Sequence, residues 1–281
     1  MVMMRFGCHV SIRDGYLAAA VHADSMQAKA YQYFPKNPRS LSVKEFDRGD
    51  AEACKEFCLG RSISSIAHTP YPTSITPASD EKKEAVIKSL LNDLEIAEAC
   101  GSMGVVVHYG SQINPSNPLE SYTLMIEVLN SVLSKWDGEC KILLENNAGV
   151  PGTIGTTLEE LVQVRNLCEE PQKIGFCLDT CHAFASGLWT GDNWKELSQK
   201  GKELGYFQEL SAVHLNNSKY GMGIGKDRHA NIFNAGHIKE EQFEELIHSP
   251  LLKDVLFVLE TPKEYGVSHK EEIEQLYSRW G

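Results

Sequence analysis

Three things are scarce in this sequence. Basic charge is outnumbered, with 27 lysines and arginines against 38 aspartates and glutamates, for a formal net charge of −11. A broad basic surface for coating nucleic acid is thereby excluded, so an anionic substrate must be met by local positive charge. Long apolar runs are missing, and no stretch approaches the roughly 18–20 residues of a membrane span. Paired cysteine motifs are missing too. The eight cysteines are scattered, and Cys177 and Cys181 do not have the C-x-x-C spacing common to zinc and redox sites. They read as reduced core thiols. The opening Met1-Val2-Met3-Met4-Arg5-Phe6-Gly7 lacks a signal peptide's charge-then-apolar pattern. The expected compartment is the cytoplasm, with association with the nucleoid at most.

What is present is an ordinary globular composition, 42% hydrophobic and 23% charged over 281 residues. Short β-branched runs alternate with amphipathic stretches from end to end. Strands are predicted at Arg5–Val10, Ala28–Phe34, Ile63–His68, Gly104–His108, Lys141–Glu145, Lys173–Asp179, Leu210–Leu215 and Val255–Glu260. Helices are predicted near Asp14–Gln27, Val43–Leu59, Ser79–Cys100, Leu119–Trp136, Thr157–Cys168, Asn193–Leu204, Glu240–His248 and His269–Arg279. Runs such as Val105-Val106-Val107 read as strands buried on both faces, as parallel sheets require. Eight such units match a single α/β domain over residues 1–281, a (β/α)8 TIM barrel. An open doubly wound sheet would want a glycine-rich phosphate loop after its first strand, and Cys8-His9-Val10-Ser11 is not one. The glycine-rich Gly221–Gly225 follows a late strand and reads as a flexible loop.

In a barrel, chemistry gathers at the C-terminal strand ends. Predicted strands three to eight end in His68, His108, Glu145, Asp179, His214 and Glu260, spaced by about one β/α unit each. His182 follows Asp179 by three positions, and the long last interval carries Asp227 and His229. A lone histidine or carboxylate after an apolar strand is usually a hydrogen-bonded rim residue. Six in succession are a different matter, and with Asp227 four carboxylates face one mouth, where they repel one another and cost several kcal/mol each if uncompensated. Cations are the natural remedy. Nine donors exceed one tetrahedral ion and suit two or three ions with bridging carboxylates. Imidazole-rich ligation favours zinc, with manganese or iron behind it. Such clusters suit in-line displacement at phosphorus.

At these positions the sequence resembles the endonuclease IV family of zinc-dependent apurinic/apyrimidinic endonucleases, over essentially the whole chain. The resemblance rests on Gly7-Cys8-His9-Val10-Ser11, Lys36-Asn37-Pro38-Arg39, His68-Thr69-Pro70-Tyr71, His108-Tyr109-Gly110-Ser111 and Glu145-Asn146-Asn147-Ala148-Gly149. It continues through Asp179-Thr180-Cys181-His182-Ala183-Phe184, His214-Leu215-Asn216, Asp227-Arg228-His229 and Leu259-Glu260-Thr261. It implies a three-zinc site: His68 and His108 at one ion, Glu145 bridging to a second that Asp179, His214 and Glu260 complete, and His182, Asp227 and His229 at the third. It implies hydrolysis of the phosphodiester 5′ to an abasic nucleotide, leaving a 3′-hydroxyl and a 5′-deoxyribose phosphate. Glu145 would orient the attacking water. Double-stranded DNA with abasic sites or blocked 3′ ends would be the partner, engaged by Arg39 in the base stack, Tyr71 beside the site and His9 at a phosphate or behind the metal ligands. Lys36, Lys219, Lys226 and Arg228 would add positive charge at the same mouth. The remaining histidines, His269 among them, read as structural or exposed.

Three departures from the family pattern stand out: Asn217 where Asp is common, Tyr109 in place of proline, and an altered segment from Ala230 to Ile238. One rival reading is a single-metal sugar isomerase or epimerase of the xylose-isomerase-like barrels, using Glu145, Asp179, His214 and Glu260 alone. Another is a lesion-binding protein that does not cut. Monomer is the expected state, since no exposed apolar stripe is evident.

Overall fold

The structure is a computed structural model describing residues 4–233, 235–263 and 266–281. Met1, Val2 and Met3 of the opening segment and Asn234 of the altered segment lie outside the described residues. In chain order the elements are β1 (Arg5–His9), α1 (Tyr16–Ser25), β2 (Ala30–Tyr33), α2 (Arg48–Arg61), β3 (Ser64–His68), α3 (Asp80–Ala99), β4 (Gly104–His108) and α4 (Pro118–Leu133). There follow β5 (Lys141–Glu145), α5 (Leu158–Leu167), β6 (Ile174–Asp179), α6 (Thr180–Ser186), α7 (Trp194–Leu204), β7 (Leu210–His214), β8 (Asn217–Ser218), β9 (His229–Ala230), α8 (Glu240–Ile247), β10 (Leu256–Leu259) and α9 (His269–Trp280). Eight parallel strands close in the order β1-β10-β7-β6-β5-β4-β3-β2, the (β/α)8 barrel the alternation predicts.

Strand parity builds the core in two layers. Ala30, Ile66, Val106, Leu143, Cys177, Ala212, Leu256 and Val258 meet inside the barrel. Their outward neighbours, such as Val105, Val107, Ile142 and Leu144, pack under the helices. Gly7 takes the inward position of β1, where a side chain would collide with the Ala30 carbonyl on β2. Helix starts follow local capping. Asp47 accepts hydrogen bonds from the amides of Gly49 and Asp50, and Thr157 and Ser268 form capping boxes with Glu160 and Glu271.

The second helix differs from the predicted Val43–Leu59. It begins only after Asp47, the Lys44 backbone being held outside the helix by two hydrogen bonds to the Asn92 side chain. Two short elements have no counterpart in the prediction: α6 directly after β6, and the antiparallel β8–β9 ribbon. All eight cysteines are buried and free of disulfides. Among the described residues no helix is long and apolar enough to cross a membrane.

Candidate metal centre

Because side chains alternate along a strand, the residue two beyond an inward core position also points inward, now at the barrel mouth. Each of the eight barrel strands delivers one polar group this way: His9, Gln32, His68, His108, Glu145, Asp179, His214 and Glu260. Lateral pairing sets His108 beside Glu145 and Asp179 beside His214. The cleft above them, about 360 Å³, is lined by His9, Phe34, His68, Tyr71, His108, His182, Asp227, His229, Glu260 and His269.

Glu145 sits at the centre and is buried. Its Oε2 lies 3.2 Å from His108 Nε2 and 3.6 Å from His68 Nε2. Its Oε1 lies 3.0 Å from His214 Nδ1 and 3.3 Å from His182 Nδ1. His214 Nδ1 is also 3.3 Å from Glu260 and 3.9 Å from Asp179. Asp227 Oδ1 is 3.3 Å from His182 Nε2 and 3.4 Å from His229 Nε2. Three donor groups result, each with ligand atoms within 4.8 Å of one another: His68, His108 and Glu145; Glu145, Asp179, His214 and Glu260; and His182, Asp227 and His229. A further combination would replace His182 and Asp227 with Asp179 and Cys181. Burial pushes the Cys181 thiol up to about 12, which disfavours the thiolate that a metal would need.

The surroundings orient these donors. The Nδ1 atoms of His68 and His182 lie 2.8 and 2.9 Å from the carbonyls of Thr69 and Asn146, which leaves each Nε2 facing the cleft. His214 is turned the other way: its Nε2 bonds Gln32 Oε1 at 2.6 Å, so Nδ1 faces the carboxylates. Gln32 also donates to Glu260 at 2.6 Å and contacts His9 Nδ1 at 3.1 Å. Asn216 donates to Asp179 at 2.7 Å, and Asn146 accepts from the Asp179 amide at 2.8 Å.

The electrostatics call for cations. Burial opposes charge on Glu145, yet the His214 and His108 imidazoles outweigh it and hold the carboxyl well below its ordinary range. Burial likewise opposes charge on His182 and His214, but Asp179, Asp227 and Glu145 raise His182, and Cys177, Glu260 and Glu145 raise His214, both well above the ordinary imidazole range. Glu145 Oε2 and His229 Nε2 are buried without hydrogen-bond partners. Orphaned donor atoms, clustered carboxylates and fixed histidine orientations fit the cation cluster that the family resemblance implies.

Outside the ligand groups, Tyr71 is 67% exposed and packs 5.1 Å from Phe34, whose ring lies between it and His68 and His9. Arg39 is exposed on the neighbouring loop and does not line the cleft. Lys219, Lys226 and Arg228 are exposed, but Lys36 is not. Lys36 is buried against α3, so it adds no charge at the mouth. Gly221–Gly225 is not free. The amides of Gly223 and Gly225 bond the carbonyls of Phe184 and Ala185 on α6 at 3.1 and 2.8 Å.

The three departures have structural accounts. Tyr109 is buried, and its hydroxyl donates to the Glu160 carbonyl at 2.8 Å. Asn217 donates through Nδ2 to the carbonyls of Ile232, Ala235 and Ile238, at 3.2, 2.7 and 2.9 Å. A carboxylate could not do this, so the amide at 217 and the altered segment belong together. Sequence reading missed Gln32, Asn146 and Asn216 as orienting groups, and His269 as a lining residue. The one signal for Gln32 was its position two residues beyond Ala30.

Fold and donor set together define a barrel enzyme scaffold with a histidine- and carboxylate-rich metal pocket at its C-terminal face, and a xylose isomerase-like TIM barrel model matches residues 18–279. Over 269 residues the chain is 39% identical to the probable endonuclease 4 of Symbiobacterium thermophilum, covering 94% of this chain and 96% of that one. The crystal structure of endonuclease IV from Thermus thermophilus matches with a TM-score of 0.83 at 28% identity, covering 98% of both chains. The chain belongs to the endonuclease IV family. A D-tagatose 3-epimerase-like protein also matches, with a TM-score of 0.70 at 20% identity over 98% of this chain and 97% of that one, which shows a shared fold alone.

Proposed function

We propose that this chain is a DNA-repair endonuclease that hydrolyses the phosphodiester 5′ to an abasic site, leaving a 3′-hydroxyl and a 5′-deoxyribose phosphate. The observation that carries the reading is the convergence of three donor groups on one cleft, with Glu145 shared between two of them. In our assignment His68, His108 and Glu145 hold one zinc, Glu145, Asp179, His214 and Glu260 a second, and His182, Asp227 and His229 a third. Bound divalent ions would supply Lewis acidity toward the phosphate and lower the pKa of water from 15.7 toward about 7.

The chain's own groups do the positioning. Glu145 offers one oxygen to each neighbouring donor group and so is placed to orient the attacking water. Gln32 and Asn216 hold Glu260 and Asp179 in position for ligation. The side chain of His108, 46% exposed, and Tyr71 form the substrate-facing edge. Tyr71 and the Arg39 loop would engage the duplex, where an already unpaired site is the cheapest to open. The acidic surface elsewhere suits a phosphodiesterase that meets one lesion at one face, acting as a monomer in the cytoplasm.

The test is incision of a duplex carrying one stable abasic analogue by the metal-loaded chain. Chelator-sensitive cutting on the 5′ side of the analogue is expected. An intact duplex after prolonged incubation with fully loaded protein would overturn the reading. Ketose–aldose conversion without strand cutting would favour the sugar epimerase alternative.

A further inference from the structure

Lys36 opens the loop that follows β2, yet its side chain turns away from the mouth into the space between that loop and α3. There Nζ lies 2.7 Å from the Ser89 carbonyl, 3.0 Å from Asp93 Oδ1 and 3.4 Å from Asn92 Oδ1. Lys36 and Asp93 are both buried, at 3% and 0% exposure. Asn92 grips the far end of the same loop, accepting from the Lys44 amide at 2.8 Å and donating to its carbonyl at 3.1 Å. Two adjacent residues of α3 therefore pin residues 36 and 44. The intervening segment 37–43 belongs to no helix or strand and is largely exposed.

That segment carries Arg39, and the Pro38 carbonyl accepts from the Tyr71 amide at 2.8 Å. The loops after β2 and β3 are thus joined at Tyr71, whose side chain lines the cleft. A buried ion pair contributes little net stability, because desolvation consumes most of the Coulomb gain. Its geometry is nonetheless demanding, since a lone buried charge is expensive. Such a pair suits fixing a loop better than strengthening a core.

We propose that Lys36, Asn92 and Asp93 form an internal clamp that positions the Arg39 and Tyr71 loops for lesion engagement. These are positioning residues, and the inference rests on the proposed DNA reading for its functional consequence. Two measurements separate the two claims. Amide exchange of segment 37–43 in Lys36→Met is expected to quicken about tenfold or more while barrel strands keep their protection. Unchanged exchange there would overturn the clamp whether or not the chain cuts DNA.

The second measurement is kinetic. Lys36→Met and Asp93→Asn are expected to raise KM for abasic duplex about tenfold or more, with kcat and metal content held near the parent values. The paired change Lys36→Met with Asp93→Leu, which removes both charges, should recover the melting temperature but not KM. Recovery of KM by this apolar pair would mean that the cluster only fills space, and the proposal would fail. A parent chain that never cuts abasic duplex would sink the functional reading, leaving the exchange result to decide the clamp.

Discussion

Glu145 holds its carboxylate between two sets of imidazoles, with Oε2 buried beside His108 and His68 but without a hydrogen bond. Glu145→Gln keeps the shape and replaces one oxygen with a donor that cannot ligate. Incision should fall by about 1,000-fold or more with the fold intact by circular dichroism; near-normal turnover would remove Glu145 from the chemistry. Asn217 tests a different kind of dependence. Asn217→Asp would set a buried carboxylate against three backbone carbonyls and should cost about 2–3 kcal/mol in urea unfolding. A variant as stable as the parent would break the link between this amide and the altered segment after His229.

Among the elements, the strands were the most readable. Val105-Val106-Val107-His108 and Ile142-Leu143-Leu144-Glu145 state both the buried run and the polar end, because parity places a residue two past a core position at the mouth. Gln32 obeys the same parity but escaped notice, since a neutral amide after Ala30 carries no metal-ligand signal. Short elements were illegible for a physical reason. The β8–β9 ribbon and α6 are too brief to show a period, and contacts with distant segments such as Gly223 to Phe184 hold them in place. The start of α2 was misplaced because the clamp on Lys44 overrides local helix preference. Its true start depends on Asp47, so Asp47→Ala should lower stability by about 1 kcal/mol with an unchanged denaturant slope. A loss within error would mean that the cap carries no weight.

At the scale of the whole molecule, the net charge of −11 and the proposed polyanionic substrate are reconciled by where the acids lie. Glu145, Asp179, Asp227 and Glu260 belong to the donor groups at the barrel mouth, where the assigned cations would meet phosphate. The same electrostatics predict a pH dependence. The neighbouring carboxylates, and Cys177 at His214, raise both imidazoles well above their ordinary range, which favours the protonated ring when no cation is bound. A metal ion needs neutral imidazole and must displace those protons. Metal uptake should therefore release protons and weaken as pH falls, as read by an indicator dye during zinc titration. Uptake with no proton release would contradict that account. The most direct measurement of the central claim is anomalous diffraction at the zinc edge from crystals of the zinc-loaded chain. Three zinc peaks are expected, one at each assigned donor group, with Glu145 between two of them. A single peak held by Glu145, Asp179, His214 and Glu260, with His68, His108, His182, Asp227 and His229 away from any metal, would contradict it.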